Sequence, residues 1–194
     1  MRTIKIQIVG KSPVTDAPSV EDLLDQLRDY FDILRGVEEA IAEDGKTELD
    51  WRVIVASKNS PLALEAAAFP RTYATNVDRR AELVVVNTAR GLNSLQISGD
   101  RPPYFDDKVL VKAQHFFTRV TNGLALTRVD YGSGLPIMTL DGGNAYAAAA
   151  NVQGILKPPP KAYLETGSVE GIAHGFDRDG YNNPVLKVQA QGDG

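Results

Sequence analysis

Between Ser19 and Ile41, apolar residues recur at helical spacing (Val20, Leu23, Leu24, Leu27, Phe31, Leu34 and Ile41), while Glu21, Asp25, Arg28, Asp29, Asp32, Glu38 and Glu39 fill the opposite face. A helix of this kind must lay its stripe on a sheet or another helix and keep its charged face in water, so the fold needs at least two layers. Ser19, with Asp22 three residues on, predicts the N-cap of a helix over 19–43, with Gly45 as a stop.

Ile4, Ile6 and Ile8 alternate with Lys5, Gln7 and Val9, which predicts a first strand with one buried face. Trp51 to Ser57 and Leu62 to Phe69 read as a hairpin around Lys58-Asn59-Ser60-Pro61. Residues 78–97 read as a second helix. Asp106-Asp107 opens a third, over 106–121, with the stripe Val109, Leu110, Ala113, Phe116, Phe117 and Val120 and with Asn122-Gly123 as terminator. Leu124 to Tyr131 and Leu135 to Leu140 read as strands joined through Gly132-Ser133-Gly134, and Asn144 to Leu156 as an alanine-rich helix.

Pro158-Pro159-Pro160 cannot continue a helix, so it divides the chain into an α+β domain over 1–157 and a proline-rich linker with a β-hairpin appendage over 158–194. The appendage is read from Tyr163 to His174 and from Val185 to Gln189. Gly167, Gly171 and Gly175 share one face if that strand is regular, where they would permit curvature or close approach. A lone two-stranded hairpin is marginal in water. The main domain or a second chain is therefore expected to cover it, with Gly167, Gly171, Gly175, Val185 and Val188 as candidate partner contacts.

Composition removes many chemistries. The 194 residues include no cysteine and two histidines, so disulfides, thiolate metal sites and a cysteine nucleophile are excluded, and most zinc chemistry goes with them. No catalytic residue, cofactor or metal site is read from the sequence. Gly10-Lys11-Ser12 lacks the first glycine of a phosphate-binding loop, since Lys5 stands there, and Pro13 removes an amide donor. Asp177 to Gly180 reads as a turn, because the twelfth position of a calcium loop would be Val188. Asp25, Asp29 and Asp32 are helical neighbours that read as a solvated face rather than a cation site. His115 and His174 would matter only if folding gave them carboxylate partners.

Charge is uneven along the chain. Residues 1–50 carry six Lys/Arg against twelve Asp/Glu, whereas residues 71–128 carry nine against five, within a net charge of -4. Arg71, Arg79, Arg80, Arg90, Lys108, Lys112, Arg119 and Arg128 could meet nucleic-acid phosphates if folding gathered them, although a pI near 5.2 opposes generic affinity. The sequence has no apolar run long enough to span a bilayer and no signal-like start, so no membrane partner and a cytoplasmic location are expected.

Trp51-Arg52-Val53-Ile54-Val55-Ala56-Ser57 with Ser60-Pro61-Leu62, together with Thr166-Gly167-Ser168-Val169-Glu170-Gly171, resembles a family of uncharacterised bacterial proteins. The resemblance implies a bacterial intracellular origin and carries no activity with it.

These readings converge on an α+β fold. A mainly antiparallel sheet is covered by the helices at 19–43 and 106–121 and followed by the small C-terminal β appendage. The expected role is that of a non-enzymatic binding or assembly protein, a homo-oligomer or one joined to a protein partner. The alternatives are a nucleic-acid-associated protein using the basic segment 71–128, and an enzyme without a local motif.

Overall fold

In the first strand, β1 (Thr3–Gly10), Ile4, Ile6 and Ile8 are buried while Lys5 is exposed and Gln7 half-buried, so one face of the sheet is dry. Burying such side chains stabilises by about 1.5–3 kcal/mol each. The computed structural model describes residues 2–12, 15–42, 44–57, 61–72, 76–132, 134–157, 171–178 and 184–190, the last two segments by backbone alone. It is an α+β protein.

After β1 come α1 (Val20–Ile41), the hairpin strands β2 (Leu49–Ser57) and β3 (Leu62–Pro70), α2 (Val77–Leu95), α3 (Asp107–Asn122), β4 (Leu124–Asp130), β5 (Met138–Asp141) and α4 (Gly142–Leu156). The five strands form an antiparallel sheet in the order β2-β3-β1-β4-β5. α1 therefore carries the chain from the central strand to the edge strand β2. Residues from all four of these helices join Ile4, Ile6, Ile8, Val129, Met138 and Leu140 in one apolar core, so the covering layer is larger than the two helices expected from sequence.

The helix ends follow local chemistry. Ser19 Oγ accepts from the Asp22 amide at 3.1 Å, and Asp106 accepts from the Val109 amide at 2.8 Å. α4 begins two residues earlier than its alanine content predicts. Asp141, the last residue of β5, accepts from the Gly143 and Asn144 amides, while Asn144 Oδ1 accepts from the Asp141 amide to complete a capping box. β5 is shorter than expected and starts at Met138, because Pro136 cannot donate to the ladder and Leu135 closes a turn onto the Gly132 carbonyl.

The sheet's other face carries polar side chains in register. Lys5 stands between Glu65 and Asp130, and Arg128 between Gln7 and Thr139. Opposite charges on neighbouring strands suit a face that meets water.

The chain divides into two compact units, Met1–Pro159 and Pro160–Gly194. In the second, β6 (Gly171–Arg178) and β7 (Pro184–Ala190) form their own antiparallel two-stranded sheet. Gly171 pairs with Ala190 and Gly175 with Lys187, across an irregularity between Ala173 and Gly175. Those partners are three residues apart, so Gly171 and Gly175 do not share a face, contrary to the reading of a regular strand. Gly167, the Pro158–Pro160 linker and most of the 58–61 turn lie outside the described residues.

At the centre of the core, Tyr30 and Tyr131 are fully buried, Tyr30 packing on Phe31 and Phe116 with ring centroids 5.7 Å apart. The Tyr131 hydroxyl donates to the Met138 sulfur at 3.7 Å, while the Tyr30 hydroxyl lacks a well-formed hydrogen bond. Burial raises the pKa of both phenols above the ordinary value, with the neighbouring Tyr131 adding to the effect on Tyr30. A raised folded-state pKa gives stability that is intact below the unfolded value near 10 and lost as pH rises beyond it. Denaturant titration of Tyr30→Phe should therefore show unchanged or slightly higher stability at pH 7 and a smaller loss above about pH 10 than in the parent chain.

Candidate functional site

Val53-Ile54-Val55-Ala56 is an unbroken apolar run, the pattern of a strand buried on both faces. The fold puts it at the sheet's edge. β2 pairs with β3 on one side and, among the described residues, with no strand on the other. Val53, Ile54 and Val55 are 55%, 42% and 52% exposed. A bulge falls between Val53 and Val55, so Ile54 is the extra residue opposite β3. Bulges, charges and prolines all blunt exposed edges, and here the bulge stands without a charge or proline in the run.

The start of this edge strand is held in place by buried charge. Glu38, near the end of α1 and 1% exposed, accepts from the Glu48 amide at 2.7 Å and the Leu49 amide at 3.0 Å. Arg80 Nε lies 3.4 Å from the same carboxylate, and Arg80 Nη2 donates to the Lys46 carbonyl at 3.0 Å. Arg71 adds two bonds, from its amide to the Glu48 carbonyl at 2.8 Å and from Nε to the Leu49 carbonyl at 3.0 Å. Further along, Arg52 Nε pairs with Asp50 at 2.8 Å and its guanidinium lies over the Phe69 ring.

Arg71 and Arg80 thus serve the fold, and two more of the candidate nucleic-acid residues do the same. Lys112 reaches Asp32 at 2.9 Å and Asp29 at 3.3 Å, and Arg119 reaches Asp29 at 3.2 Å and Asp25 at 3.3 Å, locking α3 to α1. Hydrogen bonding to Asp32, then to Asp29, raises the Lys112 pKa and keeps it charged. The acidic face of α1 is accordingly not wholly solvated, since Asp29 is buried between two cations. Arg79 and Arg90 are exposed on α2 and Lys108 on α3, whereas Arg128 lies on the polar sheet face away from the helical layer. The eight cations do not converge on one surface.

His115 is exposed on α3, in an open hollow that also involves Asp22, Gln114 and Arg119, and His174 belongs to β6 in the other unit. Among the described residues no group of three or more His, Asp or Glu is placed to hold a metal, and no helix is long and apolar enough to cross a membrane. Gly10 donates to the Asp16 carbonyl at 2.6 Å and Lys11 to the Gly123 carbonyl, so this loop is closed by backbone bonds. Of the candidate partner contacts, Gly171 and Gly175 lie on β6, Val185 and Val188 on β7, and Gly167 outside the described residues. Comparison with known protein families, curated proteins and solved structures finds no match.

By sequence Trp51 to Ser57 is one strand of a hairpin, with no contact residue singled out within it. The available signal was the run Val53 to Ala56 itself, an interior pattern whose place in the strand order only the tertiary fold fixes. Glu38→Gln should cost about 1–3 kcal/mol in denaturant unfolding, because the amide side chain keeps one acceptor oxygen but leaves Arg80 without its counter-charge.

Proposed function

We propose that this protein is a non-enzymatic binding or assembly protein that makes protein-protein contacts through the outer edge of β2. The observation that carries the reading is an interior-type apolar run, Val53 to Ala56, standing exposed on an edge strand of nine residues. Backbone groups along such an edge give affinity by strand addition, and the flanking apolar side chains give selectivity. The bacterial intracellular setting implied by the resemblance of Trp51 to Ser57 accompanies this reading.

A nucleic-acid role is less well supported, because Arg71, Arg80, Lys112 and Arg119 are engaged in ion pairs or backbone bonds within the fold. The test compares the full chain with Ile54→Lys and Val55→Lys, each checked for an unchanged circular dichroism spectrum, and with Arg79→Glu. Association in light scattering, of the chain with itself or with a protein that co-purifies with it, should be lost in both lysine variants and kept in Arg79→Glu. Association that persists in the lysine variants, or a parent chain that associates with nothing, overturns the proposal.

A further inference from the structure

We infer that the occupant of the β2 edge is a second copy of the chain, its β2 running antiparallel about a two-fold axis that passes near Ile54, perpendicular to the sheet. This rests on the reading of β2 as a contact edge and adds its partner and geometry. Three observations point to self-pairing.

The first is pattern. Joining two sheets edge to edge pairs the open backbone groups of β2 and sets the apolar run of one copy against that of the other, so that Val53 and Val55 gain apolar cross-strand neighbours. A two-fold axis perpendicular to the sheet keeps both helical layers on one side and both polar faces, with Lys5 and Arg128, on the other. Neither polar face would need to be buried.

The second is charge. Antiparallel pairing centred on Ile54 sets Val53 opposite Val55 and Arg52 opposite Ala56. The two Arg52 side chains then stand at opposite ends of the contact, as do the two Asp50 side chains. Parallel pairing would place each of these charges beside its own copy, which destabilises a strand pair.

The third is the asymmetry of the sheet's edges. β2 has nine residues and β5, at the far edge, has four. A head-to-tail contact of β2 on β5 would leave about half of the longer strand unpaired and would build a ring or a filament, whereas β2 on β2 matches in length and closes as a dimer.

The absence of cysteine makes the test direct. Ile54→Cys should form a disulfide-linked dimer under mild oxidation, roughly tenfold or more faster than Lys5→Cys, because pairing makes the reaction effectively intramolecular. Val53→Cys and Val55→Cys should crosslink faster as a mixture than either does alone. Light scattering of the parent chain should show a dimer that dissociates on dilution and is absent in Ile54→Lys. Crosslinking of Ile54→Cys no faster than that of Lys5→Cys, or a parent chain monomeric at every concentration, overturns self-pairing. If in that case Ile54→Lys still loses a different co-purifying protein, the edge reading stands with another partner. A dimer that persists in Ile54→Lys removes both.

Discussion

The alternation of Ile4, Ile6 and Ile8 with Lys5 and Gln7 allows the central strand one dry face, and the architecture follows from that restriction. Helices can gain by packing on one side of the sheet alone. The other side must carry charge, and Lys5 between Glu65 and Asp130 shows how it does so. Besides its dry face and its polar, water-facing side, the sheet presents two edges. One is β5, four residues long and ending at the Asp141 cap of α4. The other is β2, which is long and apolar.

The position of β2 depends on α1, which crosses from the centre of the sheet to its edge. Glu38 ends that crossing with a buried carboxylate that accepts from the Glu48 and Leu49 amides where β2 begins, while Arg71 and Arg80 take the neighbouring carbonyls. Charged groups so placed are costly to leave unpaired, so removing either partner loosens the start of the strand. On the other side of α1, Asp29 between Lys112 and Arg119 fixes that helix against α3. Four of the eight candidate cations in segment 71–128 are thereby engaged within the fold.

Much of the fold was legible in the sequence because its signals are local. The 3.6-residue stripes of α1 and α3, the Ser19 and Asp106 caps and the period of β1 all depend on neighbours within a few residues. The strand order was not legible, since it depends on which helices cross which strands. The same limit applies to the site. The run Val53 to Ala56 has one appearance whether it lies inside a sheet or at its edge, and the partners of Arg71 and Arg80 are backbone carbonyls of residues 46 to 49, which leave no trace in a charge pattern. The extra residue that separates the faces of Gly171 and Gly175 was equally hidden, because a bulge is a property of two paired strands.

Amide hydrogen exchange across Trp51 to Ala56, followed as a function of protein concentration, tests most directly whether this edge is covered by another chain. The account predicts that these amides gain protection as concentration rises, while those of β1, already paired on both sides, stay unchanged. Equal exchange of the β2 amides from the most dilute to the most concentrated sample would contradict it.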